Sequence, residues 1–174
     1  RHKIKCYYSG GGGDTVFSYL KTAAPAADAL IERGLRQGLS TVRDLSQLHQ
    51  CTYWKASRLS LRKLFSSPKA PCRFDRSFLS PSKLPNRPPH HPWFETPVRA
   101  LPGDRERIFD LAGTQIFRDC FPRCDKRKIR MPLLSQPVVE ACLRVPSWMW
   151  IEGGGNRTVA RAAFKDTLPV ESIS

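Results

Sequence analysis

Between residues 67 and 97 the chain carries eight prolines, at Pro68, Pro71, Pro81, Pro85, Pro88, Pro89, Pro92 and Pro97. Each ring fixes φ and removes a backbone donor, so helix interiors and central strands are closed to roughly thirty residues. The expectation is an extended Pro-rich basic arm over residues 67–102, with Phe74, Phe78, Leu79, Trp93 and Phe94 as its anchor points. The arm divides the chain into an N-terminal helical region with a short strand (1–66) and a C-terminal α/β region (103–174). The fold class that follows is α+β, mostly helical: a small irregular domain with a long arm.

On the N-terminal side, Lys3 to Tyr8 has the β-branched and aromatic content of a short strand. Ser9 and four glycines follow, and Asp14 can cap a helix that runs toward Leu20. Pro25 opens a second helix ending near Arg33. Leu35, Leu39, Val42, Leu45 and Leu48 recur at steps of four and three, one face of a helical period. Gly34 and Gly38 interrupt it, so two helices meeting near Gly38 are expected. A further helix with a basic side covers residues 55–65.

Beyond Pro102 and Gly103, residues 104–117 place Ile108, Leu111, Ala112 and Ile116 at helical steps. Residues 138–143 fit either a strand or a helix. Trp148 to Ile151 reads as a strand, and residues 157–168 as a terminal helix. Three glycines, two residues and then Thr-Val occur twice, ending at Val16 and at Val159.

Charge is unevenly spread. The 174 residues carry a net charge of +14, and residues 55–99 hold ten Lys/Arg against only Asp75 and Glu95. Arg outnumbers Lys nineteen to ten, which suits phosphate and base contacts because a guanidinium offers a planar fork of donors. This localised charge points to a polyanion partner, and nucleic acid fits best. The nucleic-acid-contacting residues expected from it are Lys55, Arg58, Arg62, Lys63, Lys69, Arg73, Arg76, Lys83 and Arg87, with a second cluster at Arg123, Lys126, Arg127, Lys128 and Arg130. In the arm these cations alternate with rings, a pattern suited to structured or single-stranded RNA. Residues 41–62 also resemble a helix-turn-helix in outline, with Lys55, Ser57 and Arg58 on the second helix.

Catalytic chemistry is hard to find. His2 and His49 stand apart, His90 and His91 sit in the arm, and no nucleophile-elbow sequence occurs. Both glycine runs read as turns that could also offer backbone N–H groups to an anion, but neither is followed by Gly-Lys-Ser/Thr. Cys120 and Cys124 form the one close cysteine pair, too sparse for a structural zinc knuckle, so no metal or cofactor is expected. Six cysteines and the sequon Asn156, Arg157, Thr158 keep a secreted, disulfide-linked form open. Irregular spacing favours reduced thiols inside the cell. Apolar runs fall well short of the roughly 20 residues that span a bilayer, which leaves only surface binding to a membrane open. The first residue is Arg1, so any targeting segment is expected to have been removed.

The function this supports is a non-catalytic, RNA-binding structural subunit of a ribonucleoprotein, of ribosomal type, in contact with neighbouring subunits. A mitochondrial ribosome is the natural host for such a basic, proline-armed chain. The alternatives are a DNA-binding regulator using residues 41–62, the secreted protein, and an enzyme with no visible site.

Overall fold

A computed structural model describes residues 6–18, 21–66, 92–119, 128–167 and 169. Four helices build most of the core. Ala24–Arg33 (α2) begins with Pro25 in its first turn, where the missing N–H costs nothing, and buries Ala24, Ala26, Ala27 and Ala29. Gly34, at φ 79°, donates to Leu30 O and turns the chain directly into α3, Leu35–Leu48. After a short break, Thr52 caps Tyr53–Phe65 (α4) by accepting from Lys55 N at 3.3 Å. The long Pro102–Asp119 helix (α5) packs on α2 from the other side.

Contrary to the two-helix expectation, α3 runs unbroken through Gly38. A Cβ at Gly38 would lie 3.0 Å from Leu30 Cβ and 3.2 Å from Leu30 Cα, so this glycine lets α2 and α3 approach closely. Packing between the helices outweighs the roughly 1 kcal/mol by which glycine weakens a helix interior. Val42 and Leu45 then point into a core that also takes Ala26, Ala56, Trp150 and Ile151.

Strands are few and short. Cys6–Tyr8 (β1) pairs in parallel with Lys128–Arg130 (β2), Cys6 opposite Lys128 and Tyr8 opposite Arg130. Between β1 and α2 lies Gly13–Val16 (α1), a single turn of helix. After β2 come a 3-10 turn, Pro132–Leu134, and Gln136–Leu143 (α6), which settles the ambiguous segment as helix. Trp148 to Ile151 is not the expected strand. Ser147–Trp150 is a 3-10 turn, because Pro146 starts a tight turn that buries both Trp148 and Trp150. It leads into the two-residue hairpin Ile151–Glu152 (β3) and Gly155–Asn156 (β4), then Thr158–Ala163 (α7), shorter than expected. The molecule is thus mostly helical with a few short strands.

Of the arm, residues 67–91 lie outside the described residues. Its last part does anchor through a ring: Phe94, in the 3-10 turn Pro92–Phe94, meets Phe109 of α5 with centroids 6.3 Å apart. Among the described residues no helix is long and apolar enough to cross a membrane.

Candidate functional site

The first glycine run forms a tight turn between β1 and α1. Ser9 extends the β1 pairing by donating from its N–H to Arg130 O at 2.9 Å, and its hydroxyl accepts from Gly11 N at 3.1 Å. Gly13 N closes the turn on Gly10 O, and Gly12 holds φ at +84°. Two of these glycines lie close against neighbouring leucine side chains. A Cβ at Gly12 would fall 2.5 Å from Leu134 Cγ, and one at Gly13 would fall 2.8 Å from Leu133 Cδ1, because the Pro132–Leu134 turn lies against the loop. Gly10 differs from both: its φ is not in the left-handed region, and a Cβ there would meet nothing within 4 Å. No contact within the described residues calls for glycine at that position.

The second glycine run packs against α3, and the residues that follow it reach α1. Gly153 and Gly154 turn the β3–β4 hairpin with φ of 57° and 76°. Gly154 leaves no room for a side chain beside Gln47 Cβ, at 2.9 Å, and Gly153 N donates to Asp44 Oδ1 at 3.2 Å. Burial raises the Asp44 carboxyl above its usual range, and that N–H partly offsets the rise. Arg157 follows in a left-handed conformation, φ 60°, with its N–H on Asn156 Oδ1. Its guanidinium reaches Asp14 Oδ1 at 2.8 Å. Asp14 and Arg157 hold the same place in the two repeats, each just before Thr-Val, and they form an ion pair. Phe17 and Phe164 reinforce the juxtaposition edge to face at 6.2 Å. On the other side of α1, the Thr15 and Thr114 hydroxyl oxygens lie 3.0 Å apart, tying it to α5.

A second polar cluster is wholly internal. Asp28 on α2 accepts from Gly103 N at 2.9 Å and from the Ser147 hydroxyl at 2.5 Å. Burial lifts its carboxyl to about 7, with those two hydrogen bonds pulling the other way. Arg107, also buried, donates to Val145 O at 2.8 Å and to Cys142 O at 2.5 Å. Its guanidinium lies 5.9 Å from the Trp150 ring centroid. Asp28 has no exposure to solvent and borders neither of two surface clefts of about 320 and 280 Å³. This cluster ties elements together and offers nothing to a substrate.

The cations expected to bind nucleic acid are dispersed. Lys55, Arg58 and Arg62 are exposed on α4, whereas Lys63 is half-buried and spent on an ion pair with Glu106. Lys128 and Arg130 occupy β2, a separate element. Lys69, Arg73, Arg76, Lys83, Arg87, Arg123, Lys126 and Arg127 lie outside the described residues. Charge density drew attention to these positions and away from Arg157. The signal for Arg157 was the repeated glycine pattern, in which one copy ends in an acid and the other in a base.

The family model for asparagine synthase matches residues 1–174. No curated protein and no solved structure matches. This match overturns the expectation of a non-catalytic RNA-binding subunit of a ribonucleoprotein, the absence of enzymatic character, and the alternatives of a DNA-binding regulator or a secreted protein. Nothing supports a mitochondrial ribosome as host. Among the described residues Cys6, Cys51 and Cys142 are free thiols, and Asn156 of the sequon is buried. The cause of the error is physical. Net charge reports on nonspecific attraction and does not distinguish a nucleic-acid partner from other anions.

Proposed function

The chain belongs to the asparagine synthase family, and from that premise we propose that it takes part in forming an amide on an amino-acid carboxylate, with the glycine turn at residues 10–14 and Arg157 holding the phosphate group that activates the acid. A carboxylate does not condense with an amine in neutral water, because its charge repels the nucleophile and its oxygen leaves poorly. It must first attack the phosphorus of a phosphoric anhydride, giving a mixed anhydride as the old P–O bond breaks. The amine then attacks the acyl carbon, and the phosphate departs with the carboxylate oxygen. Both stages carry several negative charges, so a site for them needs donors and a cation aimed at phosphate oxygens.

The observation that carries this reading is Arg157, 2.8 Å from Asp14 at the end of the glycine turn. Asp14 fixes the guanidinium beside the end of the turn, which brings a positive charge to the place where phosphate charge would lie. Gly10 supports the assignment, since its missing side chain serves no internal contact and lets an anion approach the backbone. At four residues α1 is too short for a macrodipole to contribute. The chemistry rests on amides and one arginine.

Calorimetric titration of the full chain with inorganic pyrophosphate and with ATP tests the site. Arg157→Gln should weaken binding about tenfold, the size expected for one charge-assisted hydrogen bond, and Gly10→Ala should weaken it because its methyl obstructs the anion's approach to the backbone. Gly10→Ala should not lower the unfolding midpoint, because its methyl enters open space. Affinities equal to the parent's in both variants would sink the proposal.

A further inference from the structure

We propose that the outward face of α4 docks on an anionic lipid surface, with Trp54, Leu61 and Phe65 entering the acyl boundary and Lys55, Arg58 and Arg62 meeting the headgroups. Residues 54, 58, 61 and 65 recur at steps of four, three and four, one line along a helix. On that line Trp54 is 82 % exposed, Leu61 52 % and Phe65 90 %. The opposite side, Ala56 and Ser60, is buried in the helical core. The helix therefore has a core face of small residues and a second, larger apolar face that no described residue covers. The stripe is roughly 17 Å long, from about eleven rises of 1.5 Å each.

Charge selects the occupant. Arg58 lies on the apolar line, with Lys55 and Arg62 flanking it, and α4 contains no acid. Long basic side chains can keep their charges at headgroup level while rings beside them sink below it. A second copy of this chain would set these three cations against their own counterparts. A soluble polyanion would satisfy the cations and leave the apolar residues in water. An acidic protein would have to bring its own pocket for Trp54, which at 82 % exposure protrudes from the helix, and would meet Phe65 at the rim of the cleft it shares with Val98 and Leu101. A bilayer deforms around such side chains, and Trp and Phe at the two ends of the stripe suit the boundary between headgroups and acyl chains. This surface is independent of the amide-forming reading and would stand if that reading fell.

The test is flotation of the full chain with two sets of vesicles. One is phosphatidylcholine alone, and the other is phosphatidylcholine with about a quarter phosphatidylglycerol. The chain should float with the second set and stay behind with the first. Lys55→Gln, Arg58→Gln and Arg62→Gln should each reduce partition about fivefold. The double variant Leu61→Ser, Phe65→Ser should reduce it at least about tenfold. Vesicles should shift tryptophan emission to shorter wavelength in the parent and not in Trp54→Phe, which locates the contact on α4. All the substituted residues are exposed, and circular dichroism of each variant should match the parent's. Failure to float overturns the proposal. So does flotation that survives the Leu61 and Phe65 changes and is abolished by heparin, because that outcome describes a polyanion site.

Discussion

The Ser147 hydroxyl donates to Asp28 Oδ2 at 2.5 Å, joining positions 119 residues apart in a pocket closed to solvent. The other oxygen of Asp28 takes the N–H of Gly103, so one carboxyl ties α2 to the start of α5 and to the turn that carries Trp148 and Trp150. That same turn leads into the hairpin that delivers Arg157 to Asp14.

Burial holds the Asp28 carboxyl at about 7 rather than its ordinary 3.8, so the folded chain binds this proton more tightly than the unfolded chain does. Stability from that difference is fully present below pH 4 and is lost as pH rises toward and through 7, by at most about 1.4 kcal/mol per unit. Asp28→Asn removes the titration. Urea unfolding between pH 5 and 7.5 should show the parent losing stability relative to Asp28→Asn as pH rises, and parallel profiles would contradict the assignment.

Gly103 is set by the same carboxyl. A Cβ there would lie 2.2 Å from Asp28 Oδ2 and 2.9 Å from Ser147 Oγ. Gly103→Ala should cost about 1–3 kcal/mol through overpacking. In the double variant with Asp28→Ala the closest contact is gone and only Ser147 Oγ remains near the methyl, so the two losses should fall short of additive by at least about 0.5 kcal/mol. Additive losses in a double-mutant cycle of urea midpoints would show that the clash is relieved elsewhere.

Local rules made much of this fold readable. Pro25 announced α2, the basic-sided pattern of residues 55–65 announced α4, and Ile108, Leu111 and Ala112 announced α5. Where reading failed, the deciding contact was long-range. Gly38 broke the helical pattern on paper, yet it exists to let Leu30 approach. Trp148 and Trp150 looked like strand residues, and burial on both sides of a 3-10 turn used the same side chains. The candidate site was visible as a repeated glycine pattern, but the opposite charges of Asp14 and Arg157 gained meaning only once the two copies met.

Arg107 is the second internal tie. Its guanidinium satisfies the carbonyls of Val145 and Cys142 and faces Asp104 at 3.4 Å. Burial lowers its pKa, with Asp104 opposing, yet a guanidinium keeps its charge. Arg107→Met strands two buried carbonyls and should destabilise the fold by about 3–5 kcal/mol. Arg107→Lys should recover less than half of that, because an ammonium cannot reach both carbonyls with the fork's geometry. Thermal unfolding of the two variants decides it; full recovery by lysine would mean that charge alone matters.

The glycine turn yields the most discriminating comparison. Gly12 has φ +84° and a Leu134 side chain 2.5 Å from where a Cβ would sit, whereas Gly10 has neither constraint. Gly12→Ala therefore combines about 1–2 kcal/mol for a left-handed residue with about 1–3 kcal/mol for overpacking. Gly10→Ala should change stability by no more than about 0.5–1 kcal/mol, and any change should be stabilising, since alanine narrows the unfolded ensemble. Adding Leu134→Ala to Gly12→Ala should return the packing part of the loss and leave the conformational part. Urea midpoints for the four proteins separate these contributions. If Gly10→Ala proved as costly as Gly12→Ala, the open face assigned to the anion would instead be occupied by the chain itself.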